Sequence, residues 1–84
     1  MGPRNKMDYM VLFFTHSGAI KFDRRCRKEE IPCELMPVPR YLSSNCSVSA
    51  KIIYNGDINN LIDDEIEKIF TLENHGALLI YERD

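Results

Sequence analysis

The fold turns on the stretch Asn60-Leu61-Ile62-Asp63-Asp64-Glu65-Ile66-Glu67-Lys68-Ile69-Phe70. Its apolar residues Ile62, Ile66, Ile69 and Phe70 recur at i, i+4, i+7 and i+8, the spacing of one helix face. Asn59 or Asn60 can cap such a helix, and Asp63, Asp64 and Glu65 suit the positive end of its dipole. Asn74-His75-Gly76 then reads as its stop, with Gly76 as a left-handed cap. On this reading the segment is an amphipathic helix, followed by a last strand over Ala77–Tyr81.

On the N-terminal side of that stretch, Val48, Ala50, Ile52 and Tyr54 alternate with Ser47, Ser49 and Lys51, the period of a strand, and Asn55-Gly56-Asp57 closes it as a turn. Asp8–Thr15 is aromatic and β-branched-rich, too short for a helix and apolar on both faces, which suits a central strand. His16-Ser17-Gly18 breaks it, and Thr15 or Ser17 can cap a helix beginning there. Ala19, Phe22 and Cys26, with Ile20 beside them, make the inner face of this first amphipathic helix. Lys21, Arg24, Arg25, Arg27 and Lys28 cover its outer side, most simply as a solvated face and otherwise as a docking patch for a partner. Cys33–Val38 is a second strand, and Pro37 and Pro39 remove donors that an inner strand needs, so it belongs at an edge.

The order strand, helix, strand, strand, helix, strand predicts an α+β, ferredoxin-like βαββαβ fold: a four-stranded antiparallel sheet with both helices on one face. Residues 1–7 read as a flexible leader and 8–84 as a single carrier or binding domain. The open sheet face is expected to bear Tyr9, Val11, Phe13, Ile53, Leu79 and Tyr81. That is much apolar surface for a short chain, so a homodimer through this face, or another partner, is expected.

Composition narrows the classes of function. The chain has 84 residues, 44% hydrophobic and 29% charged, an ordinary globular balance with room for one small core. Eleven basic and 13 acidic residues give a net charge of −2, which argues against nucleic-acid binding by bulk charge. The third strand also lacks the Arg/Lys-Gly-aromatic pattern of RNA-recognition modules. The longest strongly apolar run, Tyr9–Phe14, is far below the ~18 residues of a membrane span, and a cytoplasmic protein is expected. No cofactor or metal is expected, because no His-Cys or His-carboxylate spacing of a known site occurs. His16 and His75 sit at element boundaries, where a capping role is the simpler one.

Three cysteines remain, Cys26, Cys33 and Cys46, with no C-x-x-C among them. Cys26 on a helix face and Cys33 opening a strand read as structural filling. Cys46 differs, because it ends the polar loop Ser43-Ser44-Asn45. Successive loop amides can form an anion-binding concavity, and Arg40 in the same loop can supply positive charge to a thiolate.

The segment Met36-Pro37-Val38-Pro39-Arg40-Tyr41-Leu42-Ser43-Ser44-Asn45-Cys46 resembles the Pro-Val-Pro-Arg, Ser-Ser, Cys stretch of a family of small bacterial and archaeal selenium/sulfur carrier-like domains. The likeness covers Tyr9 to Tyr54, more loosely the following segment, and includes Ile31 after the first helix. Family members carry Gly after the cysteine, where this chain has Ser47, and Gly would permit a positive φ. The resemblance implies a carrier rather than an enzyme. Cys46 would hold sulfur or selenium as a persulfide or selenosulfide and pass it between donor and acceptor proteins, with Pro39, Arg40, Ser43, Ser44 and Asn45 as its binding surround. The competing reading is a non-catalytic, dimeric binding or regulatory module in which the same segment is a recognition loop.

Overall fold

The computed structural model describes residues 7–42, 46–73 and 76–83. The strands are β1 (Met7–Phe13), β2 (Cys33–Pro37), β3 (Val48–Tyr54), β4 (Ile66–Glu73) and β5 (Gly76–Glu82). The described residues hold one α-helix, α1 (His16–Lys28), and a short 3-10 helix at Ile58–Leu61. All strand pairs are antiparallel, in the order β2-β3-β1-β4-β5. The expected four-stranded, two-helix ferredoxin-like arrangement is therefore wrong: the described residues form five strands and one α-helix. β1 begins at Met7, paired with Tyr54, and the rest of the expected leader lies outside the described residues.

The second helix fails for a specific reason. β4 pairs with β1 as Phe13↔Ile66, then Leu12↔Lys68 and Val11↔Ile69. Glu67 is thus an extra, bulged residue. Strand side chains alternate every residue, so without the bulge Ile66 and Ile69 would point to opposite faces. One inserted residue returns both to the same buried face, where each is fully buried. A bulged strand has in this way acquired the three-residue spacing of a helix. The acidic run before it makes a turn: Asp63 accepts the Glu65 N–H on its side chain (2.9 Å) and the Ile66 N–H on its carbonyl (3.2 Å).

Gly76 is likewise the foot of a hairpin and not a helix stop. Glu73 pairs with Gly76, so only Asn74 and His75, both outside the described residues, separate β4 from β5. Gly76 has φ +141°, a conformation side-chain-bearing residues rarely adopt. A second bulge, at Ile80, lets Tyr81 pair with Ile69 and Leu79 with Phe70.

α1 covers one face of the sheet. Thr15 caps it, accepting the Gly18 N–H at 3.0 Å, and Ala19, Phe22 and Cys26 are buried as their spacing predicts. They meet Tyr9, Val11 and Phe13 of β1, Ala50 and Ile52 of β3, and Ile66 and Ile69 of β4. The Phe13 and Phe22 rings pack tilted, with centroids 5.3 Å apart. Tyr9, Val11 and Phe13 therefore lie under the helix, and Tyr81 packs against that core. This corrects the expectation that they form the open face. The surface that suggested a dimer shrinks to Ile53, 37% exposed, and Leu79, 44% exposed. On that reverse face Met10 and Leu12 stay buried at 3% and 0%, flanked in register by Ser49, Lys51, Lys68 and Phe70.

Nothing lies within 4 Å of a Cβ built on Gly76, so Gly76→Ala isolates the cost of the hairpin's backbone. It should lower unfolding stability by about 1–3 kcal/mol in urea melts. An unchanged midpoint would contradict the hairpin.

Candidate functional site

The family-like loop joins β2 to β3 at one end of the sheet. Pro37 pairs with Val48, and beyond them the Val38 N–H donates to the Ser47 carbonyl at 3.2 Å, closing the loop at its neck. One limb turns at once, with the Leu42 N–H donating to the Pro39 carbonyl at 3.0 Å. Arg40 and Tyr41 stand at the tip of that turn, both exposed, Tyr41 to 68%. Pro39 is half-buried. Ser43, Ser44 and Asn45 lie outside the described residues.

Cys46 occupies the returning limb and is 8% exposed, more buried than a polar loop leads one to expect. It stands outside the core cluster beneath α1. The Val48 N–H points at its sulfur, 3.5 Å away. The antiparallel register places this limb at the end of β1 where Leu12 pairs with Ser49. That is also the end at which α1 begins.

At that end α1 already has an anionic companion. Thr15 Oγ1 lies 3.4 Å from Glu65 Oε1, and Lys21 Nζ lies 3.8 Å from Glu65 Oε2. A Cβ on Gly18 would come within 2.8 Å of Glu65, so glycine is what lets the β4 turn approach the helix.

The basic side of α1 is more than a solvated face. Arg25 donates from Nη2 to the Asn60 carbonyl at 2.6 Å and from Nη1 to the Leu61 carbonyl at 3.3 Å. It thereby ties the end of the 3-10 helix to α1, while its Nε meets Glu29 at 3.3 Å. Arg27 pairs with Asp23 at 2.9 Å.

Cys26 and Cys33, read from sequence as separate filling residues, are brought together. Hydrogen bonding with the neighbouring Cys33 thiol lowers the Cys26 pKa against the opposing pull of burial. The same bond, with burial and the nearby Asp23 carboxylate, pushes the Cys33 thiol well above its ordinary range. The available signal was Cys26 on the inner helix face with a strand starting just past the helix end. It was missed because the shape of the intervening reversal is not written in residue types.

Residues 8–73 match the model of the family described as "Putative Se/S carrier protein-like". The chain belongs to that family. The match takes in β1 through β4 and the Cys46 loop, and β5 lies beyond it. No curated protein and no solved structure matches the chain. Among the described residues no helix is long and apolar enough to cross a membrane, and no three His, Cys, Asp or Glu residues are grouped to hold a metal ion.

Hydrogen bonds from a charged donor contribute about 1.5–3 kcal/mol each when shielded, less at a partly exposed site. Arg25→Ala should therefore cost about 1 kcal/mol in urea unfolding, and Arg25→Lys should restore only part, since lysine lacks the fork that reaches two carbonyls. Equal stability of all three proteins would show that the clamp contributes nothing.

Proposed function

We propose that this protein is a carrier of sulfane sulfur or selenium, with Cys46 as the carrying atom. The reading rests on family membership and on one geometric observation: the Val48 N–H directed at the Cys46 sulfur at the neck of the loop. The Cys46 thiolate attacks the terminal sulfur of a donor's persulfide. The donor's inner S–S bond breaks, its thiolate leaves, and Cys46 holds the transferred atom as Cys–S–S⁻. Attack by an acceptor thiolate on that outer atom reverses the exchange. Selenium transfer follows the same balance, with Cys–S–Se⁻ held in place of the persulfide. No oxidant, acid or base from the protein is needed, so a carrier and not an enzyme fits the site.

The surroundings have separable tasks on this reading. The neck bond between Val38 and Ser47 holds the two limbs together, and the low exposure of Cys46 shields a labile persulfide from stray thiols. Arg40 and Tyr41, projecting from the Pro39–Leu42 turn, are the first groups a donor or acceptor meets. Arg40 offers charge to the incoming anion, and Ser43, Ser44 and Asn45 complete the loop. One observation favours a second reading, a purely non-covalent recognition loop: Tyr41 is 68% exposed while Cys46 is nearly covered.

Loading decides between them. Incubation with a cysteine desulfurase and cysteine should add one sulfur atom, about 32 Da, to the wild type and to Cys26→Ser and Cys33→Ser, but not to Cys46→Ser. Peptide mapping should place the added sulfur on Cys46. Sulfur on Cys33, or no added sulfur in the folded protein, would overturn the carrier reading and leave the recognition loop.

A further inference from the structure

Cys26 and Cys33 have no part in sulfur carriage at Cys46, yet the fold is arranged to bring them together. α1 ends in a tight reversal: the Glu29 N–H donates to Arg25 O (3.0 Å), Glu30 N–H to Arg27 O (3.2 Å) and Ile31 N–H to Cys26 O (2.8 Å). Glu30 takes φ +60° to complete it. The chain then enters β2 directly beneath the last turn of the helix. Cys33 pairs with Ile52, which pairs with Tyr9. Cross-strand partners share a face, so Cys33 faces the side of the sheet that α1 covers. Cys26 faces it from above, fully buried, with Cys33 half-buried at the rim of the same core.

We propose that Cys26 and Cys33 are a redox-active dithiol, closed to an intrachain disulfide by low-molecular-weight disulfides such as oxidised glutathione. The two thiols have different roles. Cys33, at the rim, is the entry point: its sulfur attacks the oxidant, forms a mixed disulfide and releases one glutathione thiolate. Cys26 is the resolving thiol: its sulfur attacks Cys33 sulfur, the Cys26–Cys33 bond forms and the second glutathione leaves. The two thiol protons end on the two glutathione molecules, one disulfide being reduced as the other forms. In the reduced pair the neighbouring Cys26 and burial hold Cys33 protonated, so entry is the slow step. Closure pins the end of α1 to the edge strand leading into the Cys46 loop. It is chemically independent of Cys46, so its failure and that of the carrier reading are distinguishable.

The test is incubation of the folded protein with oxidised glutathione, followed by intact mass and peptide mapping. Wild type and Cys46→Ser should both lose two hydrogens, about 2 Da, in a peptide linking Cys26 to Cys33, reversibly with dithiothreitol and faster as the pH is raised from 7 to 9. The linked form should melt roughly 5–15 °C higher than the reduced form. Cys26→Ser should stall with glutathione on Cys33, whereas Cys33→Ser should acquire neither a cross-link nor glutathione on Cys26. A link that appears only in denaturant, a link to Cys46, or glutathione on Cys26 in Cys33→Ser would overturn the proposal. If Cys26→Ser does not fold, the wild-type map and Cys33→Ser still decide it.

Discussion

Everything in this fold is built on a strand that is buried on both of its faces. β1 lies between β3 and β4, so its backbone donors and acceptors face strands on either side, and Val11, Leu12 and Phe13 are all fully buried in succession. A single helix cannot cover both faces of a sheet. The protein resolves this asymmetrically. α1 seals the side of Tyr9, Val11 and Phe13, while on the other side Met10 and Leu12 are buried too, with Ser49, Lys51, Lys68 and Phe70 as their neighbours in register. The stems of Lys51 and Lys68, beside them in register, are long enough to cover apolar neighbours while their charged ends reach water. Burying a large apolar side chain contributes about 1.5–3 kcal/mol, so β1 and Phe22 together are a large share of what so small a chain can bury.

The same constraint explains what could be read in advance. Strong local signals survived: the apolar β1, the Thr15 cap, the inner row Ala19, Phe22 and Cys26, and an edge position for the proline-bearing β2. Each depends on residue types within a turn or two. The second helix did not survive, because its apparent period arose from one extra residue, Glu67, inserted opposite β1. Hydrophobic spacing records which residues are buried, and a bulged strand and a helix can bury the same ones. The last strand, expected over Ala77–Tyr81, does lie within β5, but with a helix before it Gly76 reads as a helix stop and the β4–β5 hairpin goes unseen. The wrong side for Tyr9, Val11 and Phe13 has a separate cause: β1 is apolar on both faces, so its residue types do not say which face α1 covers.

The site divides similarly. The Pro37–Cys46 segment carried enough identity to indicate the family, and the structure gives it a physical form: a loop closed at the neck, with a sulfur under a backbone N–H. The depth of Cys46 was not legible, because burial of a loop residue depends on how the two limbs fold together. Arg25 and the Cys26–Cys33 contact were hidden for a related reason. Both join α1 to segments that only the tertiary fold delivers, the carbonyls of Asn60 and Leu61 in one case and the start of β2 in the other. In consequence the two ends of α1 have different chemistry. Its start shares an end of the sheet with the Cys46 loop, and its last turn faces a second thiol.

All of this depends on residues 66–73 forming a bulged strand paired with β1. Backbone nuclear Overhauser effects in the folded protein test that pairing most directly. Cross-strand contacts are expected at Phe13–Ile66, Leu12–Lys68 and Val11–Ile69, with Glu67 skipped, together with slow amide exchange along β1. Sequential amide–amide contacts running unbroken through residues 62–70, the pattern of a helix, would contradict it.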